Sequence, residues 1–305
     1  YYFVNQNICE TKNTGVEFAI NTRNIETKDF KWNSTVTFTY NKEKILSLID
    51  GTSDNISNGN TGYSLSKGHP VNSFYHYKLD GVWQLGEEKD AAVFGAKPGD
   101  LKINIPGMER EAEGKYYKVN DNGEKTYYDS TNKYTPSNKD YQVLGHNAPD
   151  WTMGFQNTFT YKNFDLSVFM YMRWGQMIKY NMLGRYDPSG VRNFPEYFNY
   201  WTETNPSNDF PAIYANRSLT NYVGSAALSY VDGSFFKIKN ITLGYTLPTN
   251  WLQKAGIGKC RFYATITNPL VVAKSHLLKD YDPEMNGSLD YPLTKQMVFG
   301  VNLSF

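Results

Sequence analysis

The last ten residues of the chain constrain its fold more than any other segment. From Met297 to Phe305 every second residue is apolar, and the residues between them are polar or small except Val298. Positions that alternate with a period of two predict a β-strand with one apolar face and one polar face. We therefore expect a strand whose apolar face meets either the core of a soluble sheet or lipid.

Six further segments alternate in the same way, so strands are expected to dominate the fold. They cover residues 15–21, 30–41, 151–161, 164–174, 235–247 and 261–268, of which the last is the weakest. Most are about 9 to 13 residues long, whereas strands in soluble sheets average about 5 to 6. A tilted strand needs about 9 to 11 residues to span a bilayer. Strand length therefore favours a membrane sheet over a soluble sandwich.

The connections between these segments alternate between short and long. The short ones are 24–29, 162–163 and 248–259, and the long polar ones are about 41–150, 175–230 and 269–295. Outer-membrane barrels have short periplasmic turns and long outer loops. If the last strand ends in the periplasm, all three short turns fall on that side, provided that the strand-like stretch 73–84 lies within the first loop. The pattern predicts an all-β fold, a transmembrane antiparallel β-barrel, with residues 1–305 forming its wall and three long extracellular loops.

Composition excludes two classes of protein. Lys and Arg total 31 against 30 Asp and Glu, so no basic field recruits nucleic acid. No apolar run approaches the roughly 18 to 20 residues of a transmembrane helix, so a helical membrane protein is also excluded. Aromatic residues make up 16% of the chain, a proportion typical of membrane-interface girdles or sugar-binding surfaces.

The chain is expected to be one portion of a longer protein. It opens in the middle of a pattern at Tyr1, without an initiator Met or a signal segment. Seven strands also fall short of a closed barrel, because bacterial single-chain barrels have even strand counts. Cys9 and Cys260 are expected to be unbridged, because Cys260 lies near a short turn and Cys9 lies far up its own strand. No residue spacing supports catalysis, so we expect no enzyme activity, no cofactor and no metal site.

Several short motifs occur in a characteristic order along the chain. They are Asn13-Thr14-Gly15-Val16-Glu17; Gly68-His69-Pro70 followed by Phe74-Tyr75 and then Asp80-Gly81; Pro98-Gly99-Asp100; Trp201-Thr202 and Asn205-Pro206 with Pro211; the run at 232–248 that begins Asp-Gly-Ser-Phe; and Tyr281-Asp282-Pro283-Glu284. The run at 232–248 is the most specific. In this order, and followed by the terminal strand, the motifs resemble the C-terminal part of SusC/RagA-type TonB-dependent transporters of Bacteroidetes outer membranes. The resemblance covers essentially the whole chain.

The resemblance implies a 22-stranded barrel in the cell outer membrane, whose plug and TonB-contacting segment lie outside this chain. It implies TonB-dependent active import of an oligomeric nutrient, either an oligosaccharide or an oligopeptide, together with a SusD-like surface lipoprotein and the TonB complex. Two alternatives stay open: a soluble extracellular carbohydrate-binding β module and a passive porin. Dependence on detergent would separate the module from the barrel, and a plug sequence upstream would separate the transporter from the porin.

Aromatic residues in the predicted loops are the candidate contacts to substrate or partner, namely Trp83, Trp201 and Tyr281. Both tryptophans are interpreted first as packing within the loops, and stacking on sugar rings or contact with the lipoprotein is the alternative. The aromatic residues near strand ends are interpreted as a membrane-interface girdle, namely Trp32, Trp151 and Trp174. Trp251 falls in a periplasmic connection, and Phe305 resembles the signal read by the barrel-assembly machinery.

One departure from the family concerns calcium. The family often carries a calcium-loop-like motif after Pro-Gly-Asp, whereas the nearest match here starts at Lys118 and places Asp129 in the twelfth position. A lysine in the first position and an aspartate in the last lower both the charge and the number of ligand oxygens. A polar turn is therefore predicted, and a calcium ion between Asn120 and Asp129 is the alternative.

Overall fold

The computed structural model describes residues 9–48, 55–58, 63–214, 225–253 and 256–305. The chain divides into two compact units. Unit 1 comprises Tyr1–Glu10, Ile45–Asn147 and Ile178–Val231, and unit 2 comprises Thr11–Lys44, Ala148–Met177 and Asp232–Phe305. Both units are therefore built from segments that are separated in the sequence.

Strands dominate the described residues. In chain order they are β1 (Cys9–Glu26), β2 (Phe30–Leu48), β3 (Asn55–Asn58), β4 (Tyr63–Ser66), β5 (Ser73–His76), β6 (Lys78–Val82), β7 (Leu101–Asn104), β8 (Met108–Ala112), β9 (Lys115–Val119), β10 (Lys125–Tyr128), β11 (Gln142–His146), β12 (Trp151–Tyr161), β13 (Phe164–Trp174), β14 (Met177–Lys179), β15 (Tyr230–Asp232), β16 (Phe235–Thr246), β17 (Lys259–Ala273) and β18 (Gln296–Ser304). The α-helices are short: α1 (Glu88–Val93), α2 (Asn181–Gly184) and α3 (Thr249–Leu252). Single 3₁₀ turns lie at Asn138–Asp140, Ser225–Ser229, His276–Leu278 and Pro283–Met285. Among the described residues, no helix has the length and apolar content to cross a bilayer.

The main sheet has seven strands in the order β1-β2-β12-β13-β16-β17-β18. Each pair of neighbouring strands in this order, from β2-β12 to β17-β18, is antiparallel. These strands correspond to the seven predicted from the sequence, so the expected all-β fold is confirmed. The predicted bounds of β12 and β13 match those observed, whereas β1, β2 and β17 are longer than predicted.

The register places apolar residues of neighbouring strands side by side. Phe38 of β2 lies opposite Met153 of β12, which lies opposite Met172 of β13. Ser34 and Asn157, the two residues that interrupt the apolar rows of β2 and β12, are direct cross-strand partners. The sheet therefore has one apolar face and one polar face, because side chains alternate between faces along each strand.

A bulge interrupts the sheet where β16 meets β17. Their register shifts between Ile238 and Asn240, and Asn268 of β17 has a positive φ of 53°. In β16 the apolar residues change phase at the same point, since Lys239 and Asn240 are consecutive polar residues. Bulges of this kind redirect side chains and often lie beside functional sites.

Unit 1 contains small sheets around its own core. The sheets are β10-β9-β8, β11-β5-β4-β3 and β6-β7. Phe198 and Phe210 stack with ring centroids 4.3 Å apart, and Tyr186 stacks on Phe210 at 5.0 Å. The strand-like stretch 73–84 forms β5 and β6. Both lie outside the main sheet, β5 in the four-stranded sheet and β6 beside β7.

Candidate functional site

Two sequence motifs meet on the polar face of the sheet in unit 2. Lys237, in the run at 232–248, lies with its Nζ 2.5 Å from Asp282 Oδ2 and 2.8 Å from Glu284 Oε2. Lys239 also contacts the Glu284 carboxylate. The Lys237 side chain is fully buried. Two carboxylates therefore compensate a buried ammonium group, whose charge would otherwise be costly to remove from water.

The connection that carries these carboxylates is held in place by local hydrogen bonds. Asp282 Oδ1 accepts a hydrogen bond of 3.0 Å from the Glu284 backbone N–H, which caps the turn Pro283–Met285. The Tyr281 hydroxyl donates a hydrogen bond of 2.9 Å to the Ser288 carbonyl oxygen. Because burial raises the pKa of Tyr281 to about 12, this hydroxyl keeps its proton at neutral pH.

Electrostatics keep Glu284 charged. Burial alone would raise the pKa of its carboxyl group, but hydrogen bonds from Lys237 and Lys239 outweigh burial and hold this pKa below its ordinary value of 4.5. The carboxylate is therefore ionised at neutral pH and bridges the two lysines.

A cleft of about 450 Å³ adjoins the ion-pair cluster that Lys237, Lys239, Asp282 and Glu284 form. Its lining combines amide, hydroxyl, charged and aliphatic side chains, namely Lys239, Asn240, Thr267, Asn268, Glu284, Met285 and Leu293. Thr267 Oγ1 donates a hydrogen bond of 3.2 Å to Asn240 Oδ1, and Asn268 Nδ2 donates one of 3.1 Å to the Thr294 carbonyl oxygen. Its volume lies within the range of roughly 300 to 1,000 Å³ that is usual for ligand sites.

The start of the same run joins the ends of three strands of the main sheet. Ser234 Oγ accepts a hydrogen bond of 3.0 Å from the Gly175 N–H, just after β13. The Ser234 carbonyl oxygen accepts one of 2.8 Å from the Lys274 N–H, just after β17. Gln176 Nε2 donates one of 2.8 Å to the Gly233 carbonyl oxygen. Residues of the Asp-Gly-Ser-Phe motif therefore have a structural role, because they hold these strand ends together.

Two of the other motifs meet in unit 1. Trp201 Nε1 donates a hydrogen bond of 2.8 Å to Gln84 Oε1, and Asn208 Oδ1 accepts one of 3.1 Å from the Val82 N–H. Gly99 has a φ of +88°, and a Cβ there would lie 2.7 Å from Trp201 Cε3. The glycine is therefore required both by its backbone conformation and by the approach of the indole ring.

The structure places both loop tryptophans in the interior of unit 1. Trp83 is 3% exposed and Trp201 is 5% exposed. Trp83 stacks on Phe94 with ring centroids 5.8 Å apart, and Lys102 Nζ lies 4.3 Å from its ring. Packing within the loops, the interpretation made from the sequence, describes both rings in this structure. A role for Trp83, Trp201 or Tyr281 in contacting substrate or partner stays a prediction.

The remaining aromatic predictions fall on or beside the main sheet. Trp151 and Trp174 stack with ring centroids 5.9 Å apart, and Trp32 stacks on Phe159 at 5.7 Å. Trp251 lies in α3 and is 69% exposed. The interface-girdle role stays a prediction, as does the assembly signal at Phe305, which follows β18 and is 89% exposed.

The stretch considered for calcium forms hydrogen-bonded turns. Asn120 Oδ1 accepts hydrogen bonds from the backbone N–H groups of Asn122 and Glu124, at 3.0 and 2.9 Å. Asp129 Oδ1 accepts one of 2.7 Å from the Thr131 N–H. The polar-turn interpretation fits this geometry. Within the described ranges, no group of three or more His, Cys, Asp or Glu could hold a metal ion.

Both cysteines are free thiols. Cys9 is exposed, whereas Cys260 is buried.

The lysines and carboxylates of the ion-pair cluster lie within two of the sequence motifs, but the motifs did not predict that they pair. A signal was present, because Lys237 and Lys239 are spaced by two residues, as are Asp282 and Glu284. Matched spacing of opposite charges allows two segments to form paired ion contacts.

Two kinds of comparison with known proteins, by sequence and by structure, find relatives of this chain. A scan against protein-family models finds no match. The TonB-dependent receptor P3 of Formosa agariphila is 30% identical over 98% of this chain and 29% of its own length. The TonB-dependent receptor SusC of Bacteroides thetaiotaomicron is 28% identical over 98% of this chain and 27% of its own length. The chain thus spans less than a third of the length of these relatives.

A solved structure of the RagAB peptide transporter superposes with a TM-score of 0.72 at 25% identity, over 98% of this chain and 30% of that chain. By both fold and sequence, the chain is related to the TonB-dependent receptors, a class of outer-membrane proteins. Within that class it is related to the SusC/RagA type, so the resemblance predicted from the motifs is confirmed.

Proposed function

We propose that the intact protein imports an oligomeric nutrient, a glycan or a peptide, across the bacterial outer membrane, driven by TonB. The observation that carries this proposal is the seven-stranded sheet with one apolar and one polar face. The similarity of 98% of this chain to 30% of a RagAB chain supports it. In the proposed barrel the apolar face contacts lipid and the polar face lines the lumen, as in other outer-membrane barrels.

A SusD-like surface lipoprotein is the proposed partner, and the relationship to SusC supports this choice. At one end of the strands lie the long connections, 49–150, 175–234 and 274–295. At the opposite end lie the short ones, 27–29, 162–163 and 247–258. In the proposed orientation the long connections are extracellular and meet the lipoprotein, while the short turns face the periplasm.

The proposal is tested with the intact protein in its native membrane. Uptake of labelled oligopeptides and oligosaccharides should require TonB and should stop when a protonophore collapses the proton-motive force. An affinity tag on the protein should recover a lipoprotein from detergent-solubilised membranes. A protein that purifies alone and conducts solutes without TonB would be a passive porin. A protein that stays in solution without detergent would be the soluble carbohydrate-binding module.

A further inference from the structure

We propose that His76 makes unit 1 sensitive to protons, because strands β5 and β11 separate when this histidine becomes charged. His76 is the last residue of β5 and pairs with Gln142, the first residue of β11. β5 is an inner strand of the four-stranded sheet, so its release loosens the strands on both sides. The inference goes beyond the proposed function, since the opening of unit 1 can be measured whether or not the protein imports a nutrient.

Aromatic rings surround the imidazole of His76. It stacks on Tyr141 with ring centroids 4.6 Å apart and an interplanar angle of 20°. The rings of Tyr77 and Tyr230 lie at 5.5 and 5.6 Å. The Nδ1 atom of His76 is buried, and none of the described residues forms a hydrogen bond with it. Because an imidazolium donates from both ring nitrogens, protonation would leave a buried donor unsatisfied.

The charge nearest in effect to this ring has the wrong sign to stabilise an imidazolium. It is the ammonium group of Lys179 in β14, whose Nζ also lies 5.8 Å from the ring of Tyr230. Burial and the repulsion from Lys179 together lower the pKa of His76 from 6.5 to about 4. The closed form of unit 1 therefore resists a proton that the opened form, in which the ring meets water, accepts readily.

The neighbouring tyrosines and carboxylate do not change charge between pH 5 and pH 7. Burial raises the pKa of Tyr77 to about 12 and also raises the pKa of Tyr141. For Asp140, which acts on Tyr77, hydrogen bonds from Tyr134 and neighbouring groups outweigh burial and hold the pKa below 3.8. The proton taken up in this range is therefore assigned to His76.

The position of His76 lets a single proton act on more than one sheet. Its own strand belongs to the four-stranded sheet, whereas Lys179 and Tyr230 come from the β14-β15 pair. Gln142, opposite His76, donates hydrogen bonds through Nε2 to the carbonyl oxygen and Oδ1 of Asn104 in β7, at 3.1 and 3.0 Å. Opening at His76 therefore loosens the links of the four-stranded sheet to β7 and to β15.

The difference in pKa between the two forms sets the direction and size of the effect. The stabilising contribution of neutral His76 is complete above pH 6.5 and is lost as the pH falls from there to about 4. Between pH 7 and pH 5 the equilibrium constant for opening should rise about 20-fold, because the opened form binds a proton with a pKa of 6.5 and the closed form with one of about 4.

Hydrogen exchange of the intact protein in detergent micelles, read by mass spectrometry in residues 73–77 and 141–146, tests the proposal. After correction for the intrinsic rate, the parent protein should show the rise of about 20-fold in opening between pH 7 and pH 5. His76→Phe keeps an aromatic ring for stacking, and His76→Gln keeps a polar group, but neither side chain can take up the proton. Each variant should therefore change less than threefold. His69→Gln, the same substitution at an exposed histidine, is the matched control and should keep the parent rise.

Two results would overturn the proposal. One is a rise below threefold in the parent protein, which needs no variant to fold. The other is a parent-like rise in either variant of His76, so one folded variant is sufficient. Neither result depends on nutrient uptake, so failure of this inference leaves the import function untouched.

Discussion

Ser34 and Asn157 form a hydrogen bond across β2 and β12, although each interrupts the apolar row of its own strand. Ser34 Oγ donates to Asn157 Oδ1 at 2.7 Å, and Trp32 Nε1 donates to the same oxygen at 3.0 Å. Both polar residues are buried, with 7% and 6% exposure. Their polar groups are thus satisfied within the sheet, as an apolar surrounding requires.

Asn157→Ala should lower the free energy of unfolding by about 1 to 3 kcal/mol, because the Ser34 and Trp32 donors lose their shared acceptor. The measurement is urea-dependent unfolding of the intact protein in detergent micelles. Thr158→Ala, one residue away on the opposite face, is the control and should change stability by less than about 0.5 kcal/mol. Equal effects of the two substitutions would contradict the pairing. The double variant with Ser34→Ala should lose less than the sum of the single variants, because the partners are coupled.

Charge should be tolerated on one face of β2 and not on the other. Phe38 stacks on Phe18 and Trp151 on the apolar face, with ring centroids 5.2 and 5.9 Å apart. Phe38→Arg should cost about 2 to 4 kcal/mol if this position lies near the bilayer midplane, whereas Thr37→Arg should be far milder. Phe38→Leu controls for loss of stacking. Surface levels and unfolding midpoints give the readout, and similar tolerance of Arg at both positions would exclude a lipid-facing row.

Gly99 and Gly95 allow backbone strain and steric clash to be separated. Both have positive φ, +88° and +65°, but a Cβ at Gly95 would meet nothing within 4 Å, whereas one at Gly99 would lie 2.7 Å from Trp201 Cε3. Gly95→Ala should therefore cost about 1 to 2 kcal/mol from strain alone. Gly99→Ala should cost a further 1 to 3 kcal/mol or so from overpacking. Pulse proteolysis of the intact protein across a urea series, followed by cleavage within unit 1, measures both values. Indistinguishable urea midpoints for the two variants would refute the steric role of Trp201.

The ion-pair cluster should weaken in acid. The pKa of Glu284 lies below 4.5 in the folded protein, so its stabilising contribution is complete above pH 4.5 and is lost as the pH falls through the lower, folded value. Hydrogen exchange in residues 276–295, corrected for the intrinsic rate, should show protection that drops only below pH 4.5. Glu284→Gln should reduce protection at pH 7 and flatten its pH dependence. Asp280→Asn, in the same connection, should keep the parent profile. A parent-like profile for Glu284→Gln would count against the cluster.

Removal of Phe305 should impair assembly more than stability. Phe305 follows β18 and resembles the signal read by the barrel-assembly machinery, which acts before the barrel has folded. The truncated full-length protein should reach the cell surface at a markedly reduced level, while the molecules that do assemble should unfold at nearly the parent urea midpoint. Surface labelling and immunoblotting measure the first quantity, and normal surface levels would argue against an assembly signal. Ser304→Ala is the control substitution at the neighbouring position.

The sequence predicted strand existence better than strand length. The bounds of β12 and β13 are visible because a two-residue connection at 162–163 joins two uninterrupted alternating segments. The alternation of β2 ends in the polar stretch from Asn41 to Lys44, yet the strand continues to Leu48. Backbone pairing, which has no dependence on side-chain polarity, extends a strand beyond its alternating segment. In β17 the bulge at Asn268 changes the phase of the pattern and concealed the last five residues of the strand.

The site was harder to predict because its residues are distant in the chain. Lys237 and Asp282 are separated by 45 positions, and only the folding of the 274–295 connection onto β16 brings them together. The burial of Trp201 has a similar origin, since its partner Gln84 lies 117 positions away. Periodicity reports which face a residue occupies but carries no information about which loop covers that face.

The interleaved construction of unit 1 has a consequence for how such proteins diversify. Its two main segments, Ile45–Asn147 and Ile178–Val231, are separated in the gene by the β12–β13 hairpin, yet Trp201 bonds to Gln84 and Ala212 bonds to Gly99 across them. Recombination that exchanged only one segment with a relative would leave unmatched surfaces inside the unit. The two segments should therefore be inherited as a pair, so that viable natural chimaeras have crossover points outside the whole of 45–231 and seldom within the hairpin.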